Sequence, residues 1–222
     1  MAASRKQQVA IFAASVVAIA AATYVLSAPA YAAVTRGSPL RVPYTFVASP
    51  HYTAGRARVP NLIVIHTIEG PKNASAAEST GRMFATSARE ASAHYTVDSD
   101  SIVQSVDERN TGWHAPGAND RGIGIEHAGY AKQTAVEWDD PYNRAMLALS
   151  ARLAADIADR WNIPTRRLSQ AELLAGYSGF VSHDDVSRAY GKSNHWDPGP
   201  NFPWAAYLAQ VDAARFSTGR YA

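Results

Sequence analysis

Asn61-Leu62-Ile63-Val64-Ile65-His66-Thr67 is an almost unbroken aliphatic run that ends on a histidine. Such a run reads as a strand buried on both faces, the kind found inside an α/β layer. Side chains alternate along a strand, so Leu62, Val64 and His66 share one face. A second strand pattern, Gly122-Ile123-Gly124-Ile125-Glu126-His127, ends near a carboxylate and carries glycines where another group must come close. Alternation puts Gly122, Gly124 and Glu126 on one face and Ile123, Ile125 and His127 on the other.

Outward from these two strands, residues 93–97 and 102–106 alternate around Asp98-Ser99-Asp100-Ser101, which predicts a hairpin with a polar turn. Residues 111–114 are a further short strand candidate. Residues 74–88 read as a helix with Met83 and Phe84 inward. Asp139 or Asp140 caps a longer helix with Pro141 at its first position. Its apolar positions Met146, Leu147, Leu149, Leu153, Ile157 and Trp161 recur at helical spacing. Ser169-Gln170-Ala171-Glu172 is a capping-box pattern for a short helix, and Pro203 opens a final helix ending near Phe216. Strands interleaved with helices predict an α/β (α+β) fold, a central mixed β-sheet flanked by helices in a single domain.

The chain has 222 residues. Arg5 and Lys6 precede an uncharged run rich in Ala, Val and Ile over residues 9–26, and Ala30-Tyr31-Ala32 supplies small residues at both A-x-A positions. This is the layout of a secretory signal peptide over residues 1–32, cleaved before Ala33, and it predicts a secreted protein. The rival reading is an uncleaved membrane anchor, since the run is about long enough to span a bilayer. There is no cysteine, which excludes a lipid anchor on Cys. Of 21 basic and 19 acidic residues, two basic and no acidic ones precede Ala33, so the remaining chain carries 19 of each and is formally neutral. A nucleic-acid partner is therefore not expected, and a monomer is the default. Residues 33–57 carry Pro39, Pro43 and Pro50 and read as an arm lying on a domain over residues 58–216.

Seven histidines fall after the leader, most beside glycines or at predicted strand ends. Five segments occur in order: Ile63-Val64-Ile65-His66-Thr67, Ser92-Ala93-His94-Tyr95, Gly112-Trp113-His114-Ala115, Gly122-Ile123-Gly124-Ile125-Glu126, and His183 followed by Asp197-Pro198-Gly199-Pro200. Together they resemble the successive motifs of the zinc-dependent type-2 N-acetylmuramoyl-L-alanine amidases, whose fold is shared with peptidoglycan recognition proteins and phage lysozyme-type amidases. The resemblance spans about residues 58–210.

The resemblance implies one Zn²⁺ held by His66, His183 and Asp197, a three-ligand set that leaves a fourth position open for water. Zinc in such a site can acidify its water and polarise a carbonyl, which suits hydrolysis of an unreactive amide. Glu126 matches the family's catalytic glutamate, expected to take a proton from the water and pass it to the leaving amine. His195 stands where many members carry Lys, and is expected to stabilise the oxyanion with an N–H. Its alternatives are a ligand or a structural role. His94 and His114 match positions that line or support the cleft, and Tyr95 is either a cleft residue or a strand aromatic half in the core. Trp196, between His195 and Asp197, is a candidate to stack on a sugar ring or the stem peptide.

His127 is expected to point away from Glu126. Arg121 is either a loop arginine or a clamp for a stem-peptide carboxylate. Asp184 and Asp185 are read as a turn cap and an orienting carboxylate for His183.

The function implied is a secreted peptidoglycan hydrolase acting on muropeptides, which cuts between the lactyl group of N-acetylmuramic acid and L-Ala. Two alternatives stay open: a non-catalytic peptidoglycan-binding protein, and a zinc peptidase acting within the stem peptide. No His-Glu-x-x-His is present, so the common metalloprotease signature is missing.

Overall fold

The computed structural model describes residues 42–218; the predicted leader over residues 1–32 and its cleavage point lie outside them. Leu62–Thr67 forms strand β3, with all six residues buried. It sits between two parallel neighbours, β7 (Gly122–His127) and β8 (Gly179–Ser182). On the far side of β7 lie β4 (Tyr95–Val97), then β5 (Ile102–Gln104), then the edge strand β1 (Thr45–Phe46), in the order β1-β5-β4-β7-β3-β8. Only the β4–β5 hairpin is antiparallel within this sheet, so it is mixed, as the interleaved pattern predicts. A separate antiparallel pair joins β2 (Tyr52–Thr53) to β6 (Thr111–Gly112). The segment expected to be an arm thus supplies an edge strand to the main sheet and half of a small second one.

Alternation along β3 and β7 builds two cores. Ile63, Ile65, Ile123 and Ile125 face one layer. There they meet α3 (Pro141–Trp161) through Met146, Leu153 and Ile157, and α6 (Trp204–Thr218) through Tyr207 and Val211. Leu62 and Val64 face the other layer, with Val181, Leu168, Leu173 and Val186. That layer holds α4 (Gln170–Leu174) and α5 (His183–Tyr190). Each fully buried aliphatic side chain stabilises the fold by about 1.5–3 kcal/mol, which is why both faces of β3 can be apolar.

The helix ends follow local chemistry. The Asp140 carboxylate accepts from the Asn143 N–H with Pro141 at the first position, and Asn162 ends α3 in the left-handed conformation at φ 53°. Ser169 with Glu172 makes the expected capping box of α4. The same device occurs with Thr134 and Glu137, opening α2 (Ala135–Trp138), and with Ser182 and Asp185, opening α5. Helix α1 (Ala76–Thr86) buries Phe84, but Met83 is 44% exposed, contrary to expectation. Neighbours on a helix point about 100° apart, so only one of the two can face the sheet.

Among the described residues no helix is long and apolar enough to cross a membrane.

Candidate active site

Strands β3, β7 and β8 are parallel, so their C-terminal ends lie along one edge of the sheet, where α/β sheets place their ligand crevices. Register then decides which side chains meet. His66 pairs with Glu126, and Ile65 pairs with Ser182, so His183, the next residue, begins α5 beside His66. The His66 and His183 ring centroids are 4.7 Å apart. Asp197 enters from the loop after α5. Its backbone carbonyl accepts from the Asp184 N–H at 3.1 Å, which ties that loop to the start of the helix.

His66 Nδ1 lies 3.1 Å from Asp197 Oδ2, and His183 Nδ1 lies 3.3 Å from Asp197 Oδ1. All three side chains are buried, and one ligand atom from each falls within 4.8 Å of the others. Two imidazole nitrogens and one carboxylate oxygen converging in this way form a donor set that suits a zinc ion with an open position. Electrostatics points the same way. Burial works to raise the Asp197 pKa, but the imidazoles of His183 and His66 set against its oxygens outweigh it and hold the carboxyl well below the usual carboxylate range. Burial lowers the His66 pKa to about 4 despite the neighbouring Asp197 carboxylate. The pocket thus favours a neutral imidazole next to an ionised carboxylate, the forms in which these groups bind metals.

Glu126 faces the same cleft. It is half-buried, yet its Oε2 is shielded from solvent and has no hydrogen-bond partner. Burial first, then the negative charges of Asp197 and Glu69, push its pKa well above the ordinary value, with Arg89 pulling the other way. A carboxyl raised in this way holds its proton more readily and is suited to taking and returning one. The cleft is a cavity of about 400 Å³, walled on the site side by His66, His114, Glu126, His183, His195 and Asp197. His195 stacks on His183 at 4.4 Å with an interplanar angle of 12°, and its Nδ1 lies 3.4 Å from Asp197 Oδ1.

The other residues singled out from sequence divide. His114 lines the cleft. His94 does not: it is buried behind His114, where its Nδ1 accepts from the Gly124 N–H at 3.1 Å. Tyr95 is a correction. It pairs with Ile125, shares the face of the helix-packed core, and donates its hydroxyl to buried Glu108 at 2.7 Å. Trp196 is 48% exposed and is not part of the cleft wall.

Arg121 is neither a solvated loop residue nor a cleft clamp. Its buried guanidinium donates to the Leu173 carbonyl at 2.7 Å and to the Tyr190 hydroxyl at 2.9 Å. His127 points into the opposite core and bonds Ser150. Asp185 caps α5, while Asp184 pairs with Arg188 rather than with His183. His183 Nε2 instead meets Ser193 Oγ at 3.3 Å.

The opposite wall was not anticipated. It is made by Thr80, Met83 and Phe84 of α1 with Arg89 and Trp113. Trp113 belongs to the Gly-Trp-His segment that the sequence marks, whereas nothing in the local pattern marks Arg89.

Residues 56–200 match the family model described as N-acetylmuramoyl-L-alanine amidase. The chain is 33% identical over 158 residues to N-acetylmuramoyl-L-alanine amidase A of Achromobacter lyticus, covering 68% of this chain and 82% of that protein. Among solved structures it resembles the Staphylococcus aureus hydrolase AmiA in complex with its ligand, with a TM-score of 0.62 at 18% identity over 82% of this chain and 87% of that one. It also resembles AmpD, with a TM-score of 0.54 at 24% identity over 76% and 94%. At these identities the two structures speak for the fold.

Proposed function

The chain belongs to the N-acetylmuramoyl-L-alanine amidase family and has that enzyme activity; from this premise we propose a zinc-dependent, secreted peptidoglycan hydrolase. The bond cut is the amide between the lactyl group of N-acetylmuramic acid and L-Ala of the stem peptide. One observation carries the reading: His66, His183, Asp197 and Glu126 converge at one edge of the sheet in a single cleft. Residues 58–216 form the catalytic domain in this proposal. Secretion is supported by the basic start, apolar run and A-x-A site of residues 1–32.

In this proposal His66, His183 and Asp197 hold the zinc. Bound there, zinc supplies Lewis-acid polarisation of the carbonyl and makes water more acidic. Glu126 accepts the proton of the attacking water as the new C–O bond forms. It then delivers that proton to the L-Ala nitrogen as the C–N bond breaks, leaving a carboxyl group, which keeps the second proton of the water until it ionises to solvent, on the lactyl group of the sugar and a free peptide amine. Its shielded, unpartnered oxygen suits this task, because no protein group competes for the proton. His195, 46% exposed at the cleft wall, donates an N–H to the oxyanion. The metal-facing Asp197 orients that imidazole.

The test is to strip the full-length protein of metal, reload it with zinc, incubate it with peptidoglycan and identify the fragments by mass spectrometry. Zinc-dependent stem peptides beginning at L-Ala are expected. Fragments cut inside the stem would overturn the reading in favour of a peptidase, and binding without fragments would overturn it in favour of a recognition protein.

A further inference from the structure

In the cleft wall, His66 is backed by a second imidazole whose seat is built into β7. His66 Nε2 lies 3.1 Å from His114 Nδ1, with the two rings edge to face at 89°. His114 Nε2 faces the Gly122 carbonyl at 3.4 Å. The ring lies on the glycine face of the strand. A Cβ on Gly124 would come within 2.7 Å of His114 Cγ, and one on Gly122 within 3.2 Å of His114 Cε1. His94 closes the far side at 5.4 Å between centroids. Asn119 Oδ1 accepts from the backbone N–H groups of His114 and Ala115, which holds the loop that delivers the ring. Gly124 therefore has a specific use: only without a Cβ there does the imidazole fit, while Gly122 lies close beneath the ring.

The polarity of this line follows from its fixed end. A carbonyl oxygen can only accept, so His114 Nε2 carries the hydrogen and Nδ1 of the neutral ring is an acceptor. His66 Nε2 is then the donor, and its Nδ1 is left as a bare lone pair. That lone pair faces Asp197 Oδ2 at 3.1 Å. Two acceptors at this separation call for a cation between them.

We propose that His114 is a positioning residue for the metal site: the Gly122 carbonyl sets its tautomer, and through it the tautomer of His66, so that His66 Nδ1 is presented as the ligand. This rests on the zinc reading of the cluster. It changes the meaning of the Gly-Trp-His segment, whose histidine acts on the ligand rather than on the substrate. Partners of this kind orient a ligating imidazole and raise its basicity, and losing one typically costs ~10–100-fold in metal affinity.

The experiment measures the zinc Kd of the full-length protein by competition with a chromophoric chelator. His114→Phe keeps a ring but removes the acceptor, and is expected to raise the Kd by ~10–100-fold. His114→Asn returns an amide oxygen near the Nδ1 position and is expected to recover most of that loss. Gly124→Ala, which pushes the ring from its seat, is expected to behave like His114→Phe. Long-range ¹H–¹⁵N spectra of zinc-loaded protein are expected to show His66 protonated at Nε2 and metallated at Nδ1.

A folded His114→Phe variant with the wild-type Kd, or His66 metallated at Nε2, would overturn the proposal. Should His114→Phe not fold, the Asn variant and the spectra decide the matter alone. Failure here is separable from failure of the functional reading. A wild-type protein that binds no zinc sinks the zinc-dependent reading and this inference with it. One that binds zinc indifferently to His114→Phe sinks only this inference.

Discussion

Glu126→Gln separates proton transfer from every other task of the cleft. The change is isosteric. The shielded Oε2 has no hydrogen-bond partner, so none is lost there, and the metal ligands are untouched. A positioned general acid–base group contributes ~10²–10⁴-fold, equivalent to about 3–5 kcal/mol of barrier. Because Glu126 is assigned both proton steps, kcat/KM should fall by ~10³-fold or more within that range, while the zinc Kd stays within a factor of a few.

Stability should move the other way. Burial and the charges of Asp197 and Glu69 raise the folded-state pKa of Glu126, so the native metal-free protein holds this proton more tightly than the unfolded chain does. The native state therefore loses stability as pH rises from the unfolded carboxyl value of about 4.3 through the raised folded value. A glutamine does not titrate, so the metal-free variant should equal the wild type in acid and be the more stable of the two at pH 7. Turnover of a soluble muropeptide, followed by chromatography of the released peptide, reads the first effect. Urea melts of metal-free protein across pH read the second. Near wild-type turnover in a zinc-loaded Glu126→Gln protein would refute the assignment of the base. A variant less stable at neutral pH would refute the electrostatic account.

Two further outcomes follow from Tyr95 and Gly199. Tyr95→Phe removes a hydroxyl bonded to buried Glu108 and to Gln104. It should cost about 1.5–3 kcal/mol in denaturant melts, the usual worth of a hydrogen bond to a charged group, and leave kcat/KM unchanged. A selective loss of turnover would return Tyr95 to the cleft. Gly199 has φ 87° and a Cβ there would drive into the Ala131 carbonyl. Gly199→Ala should therefore lower stability by more than the ~1–3 kcal/mol of backbone strain alone and loosen the loop that carries Asp197. Unchanged thermal melting would show that this turn is not what holds the ligand.

How much was legible depends on the range of the interaction that decides each feature. The two site strands, the long helix and its Asp140 cap were readable because a run, a period and a cap are local. The strand β8 and helix α5 escaped, although Ser182 with Asp185 is a capping box in miniature; four residues of strand are too few to show a period. Arg121 looked like a loop arginine because its partners, Leu173 and Tyr190, lie 52 and 69 residues away. The pairing of His66 with Glu126 was hidden for the same reason. Register between parallel strands joined by long crossovers is set by packing, not by neighbours in sequence.

Tyr95 and His94 are a different matter, since the means to separate them were at hand. Consecutive residues of a strand face opposite sides of a sheet, so a histidine and a tyrosine side by side cannot both enter one cleft. Once His94 leans toward Gly124 and the metal-side layer, Tyr95 must face the helices, and its hydroxyl must find a buried partner there; Glu108 is that partner. The same alternation explains why His66, Gly124 and Glu126 share a face with His114 while Ile125 and His127 do not. Motif resemblance proposed which residues gather; the two-residue period decides which of them can. Where the two disagree, at Tyr95, the period prevailed, because a one-residue slip of its strand would have moved Val97 out of the core together with it.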